Sequence, residues 1–262
     1  HPYSRSILGR EELLRQYSPN QMRCFHRTHY QPENMTLVLV GGIRLEEALS
    51  LVETSFNNFS IRSECPKYLI QSPAPITEIK RKSLNLPRLE VSRLLMGWSC
   101  PGVSKIEDGF ALEVLSVILA GGRCSRLVRQ LREEKHLVLD IHSGFSLQKD
   151  SSLFTICAWL DSNNIDLVEA IIREHLYNLQ TKLVAPEELQ RVKRLLLNDY
   201  IFSSETPGQL AGIYGYYQTI ATADVATKYA ETIKNIQPAE LQAVAQKYLS
   251  PEKYAIVSMK PC

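Results

Sequence analysis

No window of this chain reaches about eighteen uninterrupted apolar residues, so no segment has the length to cross a bilayer as a helix, and no basic-then-apolar signal segment opens it. Basic charge is not in excess either. Thirty Lys and Arg stand against twenty-eight Asp and Glu, a formal charge of +2, far from the surplus that neutralising a phosphate backbone asks for, so nucleic acid is not an expected partner. The short run Lys80-Arg81-Lys82 lies beside an alternating segment and reads as a solvated strand end. There is no disulfide framework: Cys24, Cys65, Cys100, Cys124, Cys157 and Cys262 are irregularly spaced and read as scattered thiols, which leaves the compartment open. What remains is ordinary globular usage, 44% hydrophobic and 22% charged over 262 residues, enough for one complete domain and part of another and expected to be soluble.

What the chain does have is a pattern used twice. Pro19 opens a helical stretch, Pro32 and Glu33 interrupt it, and the apolar run 35–40 follows; Pro238, Pro251-Glu252 and the run 254–259 repeat that order. The offset is 238 − 19 = 219 and again 251 − 32 = 219, and a shared offset without a gap points to duplication. With a repeating unit of about 200 residues, His1 falls inside a first unit whose opening portion, roughly 150 residues, is expected to lie upstream.

Periodicity places helices over 10–17 and 20–30, a strand over 35–40 closed by Gly41-Gly42, and an amphipathic helix over 45–56. Between 60 and 75 the pattern fails, and Pro66, Pro73 and Pro75 mark a linker. The expected organisation is 1–60 as the tail of a first domain, 61–76 as linker and 77–262 as a second domain. That second domain opens with strands over 78–84 and 90–98, then an apolar helix over 109–119 ended by Gly121-Gly122, then a short helix over 126–135. Strands over 137–143 and 153–160, helices over 165–183, 186–203, 207–219, 223–234 and 238–248, and a last strand over 254–259 complete it. Strands grouped and helices grouped favour an α+β fold, a mainly antiparallel sheet covered by helices mostly on one face.

Three pieces of the chain resemble the pitrilysin/insulinase family of zinc peptidases, the inverted-motif group that includes the processing peptidases. The first is His1-Pro2-Tyr3-Ser4-Arg5-Ser6-Ile7-Leu8-Gly9, followed by Tyr30-Gln31-Pro32-Glu33-Asn34-Met35 and its apolar run. The second is Gly121-Gly122-Arg123-Cys124-Ser125-Arg126-Leu127, similar to a glycine-rich turn before S-R-L. The third is Leu131-Arg132-Glu133-Glu134-Lys135-His136-Leu137, similar to L-R-E-x-x-G-L-x-Y. In this order, with these spacings and the internal repeat, they cover nearly the whole chain.

The resemblance implies two homologous domains in tandem, with zinc held in the first by H-x-x-E-H and a later glutamate. No H-x-x-E-H occurs in this sequence. The chain itself is therefore expected to hold no metal and to catalyse nothing alone, while zinc is expected in a full-length, catalytic parent. In the family's second domain an arginine and a tyrosine seven positions later hold the substrate backbone. Here the arginine matches Arg132, the substrate-binding candidate, but position 139 is Leu139, which offers no hydroxyl to a carbonyl or oxyanion. His136 stands where the family usually has glycine. Implied partners are the upstream domain, a second homologous chain in a homo- or heterodimer, and a peptide or unfolded polypeptide substrate.

Other candidates are read in both senses. His26 and His29, one helical turn apart beside Cys24, lack a third convergent ligand and fit a solvated helix face. His136 and His142, placed in one strand, fit a sheet surface. Trp98, Trp159, Tyr214, Tyr216 and Tyr217 line either a peptide channel or a packed interior. Gly121 and Gly122 have no following Lys-Ser or Lys-Thr pair and are turn glycines, not a phosphate cradle. Three functions stay open: the far wall of a peptide-binding chamber in a zinc metallopeptidase, a non-catalytic scaffold subunit, and a peptide-binding module.

Overall fold

The structure, a computed structural model, describes residues 1–60, 66, 70–71 and 73–262. Much of the stretch expected as linker, 61–76, lies outside the described residues. In chain order the elements are α1 (Glu11–Leu14), α2 (Pro19–His29), α3 (Leu45–Phe56), β1 (Lys80–Asn85), β2 (Ser92–Pro101), α4 (Ile106–Ala120), a π-helical segment (Val128–Glu134), β3 (Val138–Ser146), β4 (Ser151–Leu160), α5 (Ile165–Thr181), α6 (Pro186–Phe202), α7 (Pro207–Ile220), α8 (Asp224–Asn235), α9 (Pro238–Tyr248) and β5 (Ala255–Lys260). They form two compact units: His1–Ser72 with Ser203–Ala226, and Pro73–Phe202 with Thr227–Cys262. Among the described residues no helix is long and apolar enough to cross a membrane.

The larger unit is built on one five-stranded sheet, in the order β1-β5-β2-β4-β3. Only the β1–β5 pair is parallel; β5–β2, β2–β4 and β4–β3 are antiparallel. Alternation along the strands sorts the sheet into two faces. Leu94, Met96, Trp98 and Cys100 of β2 and Phe154, Ile156, Ala158 and Leu160 of β4 are buried, and α4 packs on β3 and β2 while α9 packs on β2, α4 and α5. Ten of the residues of α4 are buried, from Gly109 to Ala120, because this helix touches the sheet on one side and α6 and α9 on others. The opposite sheet face carries half-buried Leu95, Thr155, Cys157 and Trp159 and exposed Arg93 and Leu153. The expected α+β sheet covered mainly on one face is the observed architecture.

Aromatic side chains fix the centre of that core. Trp98 lies between Phe154 and Tyr254, with ring centroids 6.1 and 5.5 Å away, and its indole nitrogen donates to the Ser250 carbonyl at 2.8 Å. The buried polar handle is thereby satisfied while the ring keeps its apolar contacts. Beside it, Glu169 of α5 is 4% exposed yet accepts two bonds from Arg81 of β1, both 2.6 Å, and one from the Tyr254 hydroxyl. Burial alone would push its carboxyl up; the hydrogen bonds from Arg81 and Tyr254 outweigh that and hold it below the ordinary range. One carboxylate thus ties β1, the residue before β5, and α5 together.

The smaller unit is different. Helix α2 has the requisites of a good N-terminus, Ser18 and Gln21 in a reciprocal capping box and Pro19 in the first turn, but it buries no residue, and α3 buries only Ala48. The strand expected over 35–40 is not formed. Met35 has extended backbone angles (φ −122, ψ 145), and Val38 and Val40 are half-buried while Leu37 and Leu39 stay more than half exposed, so the alternation of a strand is present. What is missing is a neighbour: among the described residues no strand pairs with it, and an extended segment is a strand only when its amides and carbonyls enter a ladder.

Candidate functional site

The corner that carries Arg132 is assembled from a helix end, a π-helix and a bulged strand. Helix α4 stops at Ala120 because Gly121 follows where a Cβ would lie 2.5 Å from Val117 Cγ1 and 2.6 Å from its Cα, and Gly122 then takes φ +102. The left-handed residue is Gly122, the position after the C-cap Gly121 where helices commonly close; both glycines are required, for two reasons. Ser125, buried, donates to the Gly122 carbonyl at 2.5 Å and closes the turn.

The helix expected over 126–135 begins in the ordinary way at Arg126 and Leu127 and then widens into the π-helical segment. Such widening is uncommon and occurs mostly where packing or a site demands it. Here Leu127, Val128 and Leu131 are all buried, and the wider turn leaves Arg132 and Glu133 on the outside. The backbone is closed by Leu137 N–H on the Leu131 carbonyl at 2.8 Å. His136, in between, has φ +52. It lies before β3, not within it, so it shares no strand face with His142. The left-handed angle supplies a physical reason for the glycine that the resembling family places here; histidine is among the non-glycine types that tolerate it.

Arg132 is held by two carboxylates. Its Nε and Nη2 donate to Glu133 Oε1 at 3.0 and 2.9 Å, and Nη1 donates to Asp140 Oδ1 at 3.2 Å. Glu133 also accepts from Arg123, at 3.2 and 3.0 Å. Hydrogen bonds from Arg123 first and Arg132 second hold the Glu133 carboxyl below its usual range, and the bond to Glu133 pushes the Arg132 guanidinium up, so both stay charged. Leu139 is the extra residue of a β-bulge: Val138 pairs with Leu160 and Asp140 with Trp159. A bulge re-aims a side chain, and Leu139 is 66% exposed. Beyond Asp140 the register continues across the open face to Trp159 and Arg93. The Arg93 guanidinium sits 6.0 Å over the Trp159 ring, and the His142 ring is 5.0 Å from it. The row Arg132, Asp140, Trp159, Arg93 thus alternates charge with an aromatic plate.

Other candidates fall apart as sites. His29 stacks on Phe25 and His26 on Tyr30, at 4.1 and 4.5 Å, which occupies both rings on the surface of α2. Trp98 is core. Tyr214, Tyr216 and Tyr217 belong to α7 of the smaller unit, where Tyr216 and Tyr217 meet edge to face. Among the described residues no three His, Cys, Asp or Glu side chains converge to hold a metal, and the donor set does not fit a catalytic zinc. Pairing of Arg132 with a neighbouring glutamate is legible in the run Leu131-Arg132-Glu133-Glu134; Arg123 and Asp140 were not foreseen beside it, and only the π-turn and the bulge bring them in.

Fold and site together define a sheet-and-helix domain in which, among the described residues, no cluster of His, Cys, Asp or Glu is placed to hold a metal. The chain belongs to the family described as the Peptidase M16 inactive domain, which it matches over residues 16–196, more than half its length. Among curated relatives it is 23% identical over 270 residues to a protein named zinc protease PqqE from Helicobacter pylori, covering all of this chain and 59% of that protein. It is 28% identical over 172 residues to an uncharacterized zinc protease of Mycobacterium leprae, covering 65% of this chain and 38% of that one. Among solved structures, a protease from Helicobacter pylori superposes with a TM-score of 0.91 at 22% identity, covering 100% of this chain and 63% of that one. A peptidase M16 inactive domain from Pseudomonas fluorescens gives 0.83 at 21% identity, covering 100% and 62%. The chain spans about 59% of the length of the first of these curated relatives.

Proposed function

We propose that this chain is the metal-free part of a zinc metallopeptidase-like protein and that the open face of its sheet forms the far wall of a peptide-binding chamber. The observation that carries the reading is the row Arg132, Asp140, Trp159, Arg93 on the face opposite the core helices, with the bulged, exposed Leu139 at its end. Arginine forks, an aromatic plate and an apolar side chain are what an extended polypeptide offers partners to, and β3 is an edge strand of the sheet. A wall of this kind contributes by holding a substrate in place, which is a large part of what cleavage requires. The chain alone then binds peptide without cutting it; zinc and the general base belong to an upstream domain.

The smaller unit supports the same reading. Leu37, Leu39, Ile43, Leu45 and Leu49 line an apolar groove of about 420 Å³, and every one of these side chains is more than 40% exposed. So much apolar surface on one short stretch marks an interface. In this reading residues 1–60 are the tail of the upstream domain, whose sheet supplies the neighbours that residues 35–40 lack, and 77–262 are the second domain.

A scaffold subunit without peptide binding is the second reading. Leu139 and His136 favour it, since both depart from the peptide-holding pattern that the chain otherwise resembles. Titrating a fluorescent peptide mixture into the 262-residue chain in EDTA separates the two. The chamber-wall reading expects binding unaffected by the chelator, no cleavage, and affinity lowered about three- to tenfold by Arg132→Ala. No binding by the intact chain supports the scaffold; cleavage that stops on chelation contradicts both.

A further inference from the structure

A second concave surface lies on the helical side of the larger unit, and none of its residues belongs to the row described above. It is a groove of about 630 Å³ with Arg126 and Arg129 on one wall, Lys182 and Leu183 at the end of α5, and Arg191 on α6. Four cations line it against one carboxylate, Glu188, a lining charge of 4 − 1 = +3, which exceeds the +2 of the entire chain.

Glu188 is already used: it takes both forks of Arg126, at 3.0 and 2.6 Å, in a pair whose side chains are each 20% exposed. Arg129 meets Glu134 only at 3.5 Å, in an exposed pair. Lys182 and Arg191 make no ion pair among the described residues. At its floor His175 Nε2 lies 2.5 Å from Gln130 Oε1. Like charges gathered on a concave, partly desolvated wall cost free energy unless an anion joins them, and such a surface focuses the field that attracts one.

The lining also discriminates among anions. A compact phosphate site draws on backbone amides at a helix start, but α6 begins with proline and carries Glu187 and Glu188 in its first turn, so that terminus is already answered by carboxylates. The cations come instead from long side chains spread over three elements, and Leu183, 58% exposed, adds an apolar edge. Spaced carboxylates on a flexible chain with intervening apolar side chains fit this arrangement, and the volume is within the range of ligand-sized clefts, roughly 300–1,000 Å³. We propose that this groove is a docking site for an acidic polypeptide segment, one carrying two or more Asp or Glu side chains, with Lys182 and Arg191 as its recognition residues.

Fluorescence anisotropy tests this with the intact 262-residue chain, a labelled peptide with Glu at every second position, and its Gln counterpart, at about 50 and 300 mM salt. The Glu peptide binds, more tightly at low salt, and the Gln peptide does not. Lys182→Glu with Arg191→Glu weakens binding about tenfold or more, whereas Lys149→Glu with Lys253→Glu, the same charge change at exposed positions outside the groove, weakens it less than about twofold. Because Arg191 is half-buried, Lys182→Glu alone, at an exposed site, decides the matter if the double variant loses its melting transition. Equal binding of the two peptides overturns the proposal, as do equal losses in the groove and control variants. Displacement of the Glu peptide by pyrophosphate at concentrations comparable to the peptide's own overturns it too, in favour of a phosphate site.

Discussion

Residues 19–40 and 238–259 share one sequence pattern position by position, and the structure finishes only one of them. Both open with an eleven-residue helix, α2 and α9, each with a proline in the first turn; Ser18 and Gln21 cap α2 reciprocally, and the Glu240 side chain accepts from Gln237 N–H at the start of α9. At an offset of 219, Met22 corresponds to Leu241, Tyr30 to Leu249, Met35 to Tyr254 and Leu37 to Ile256. The second member of each pair is 0%, 0%, 0% and 3% exposed; the first is 55%, 52%, 48% and 55% exposed. In the later copy, β5 is paired on both sides, by β1 and β2. In the earlier copy no strand among the described residues pairs with 35–40. Local sequence makes a helix and an extended segment in either place; burial and strand pairing come from neighbours, and only the larger unit supplies them.

The sharpest way to break this comparison is to place a charge at the same point of both copies. Ile256→Asp buries a carboxylate between two strands and is expected to cost about 4 kcal/mol or more, enough to remove cooperative unfolding of the larger unit in urea. Leu37→Asp, at the equivalent position, is expected to change stability by no more than about 0.5 kcal/mol. Equal effects would mean that the two copies are equally built.

What holds the finished copy in place is sharpened by Glu169→Gln. Glu169 has a folded pKa below its unfolded one, so its stabilisation is present above the unfolded value of about 4.5 and is lost as pH falls through the folded value. Since Arg81 is 55% exposed, the loss at pH 7 is discounted for screening to about 1–3 kcal/mol. Denaturant melts should show the gap between the two proteins closing as pH is lowered well below 4.5; a gap that stays constant with pH would exclude the charge as its source.

Glu113 of α4 behaves in the opposite sense. Burial pushes its carboxyl up to about 6, with the Tyr229 hydroxyl hydrogen bond at 3.0 Å pulling the other way and losing. A raised folded pKa means that the native state is penalised as pH climbs from about 4.5 through 6, so Glu113→Gln is expected to stabilise by about 1–2 kcal/mol at pH 7 and by nothing near pH 4. Thermal melts at the two pH values check this. The smallest effect is expected at His136, where His136→Gly relieves the left-handed backbone and should stabilise by about 0.5–1 kcal/mol without altering the fold.

Helices were legible where apolar spacing or an opening proline marks them. The amphipathic stretch 45–56 is α3, and the proline-opened stretch 238–248 is α9. Strands of the larger unit came within about three residues of their observed ends, because their alternation matches a sheet with one buried face. Three things were not legible, each for the same physical reason. Whether 35–40 pairs depends on strands elsewhere. Whether 126–135 is α- or π-helical depends on how Leu127, Val128 and Leu131 seat against their neighbours. Whether Arg132 also bridges to Asp140 depends on a bulge at Leu139 that brings Asp140 within 3.2 Å. The basic groove left a faint trace, His175 and Asn178 at helical spacing on α5 with Lys182 just past its end, but its other half comes from two further elements.

Hydrogen exchange followed by mass spectrometry on the intact chain tests the central claim most directly, by comparing the amides of 35–40 with those of 255–260. The account predicts exchange near the unstructured rate in the first segment and at least about a thousandfold slower in the second. Comparable protection of both would contradict it, because residues 35–40 would then already own the sheet that this structure denies them.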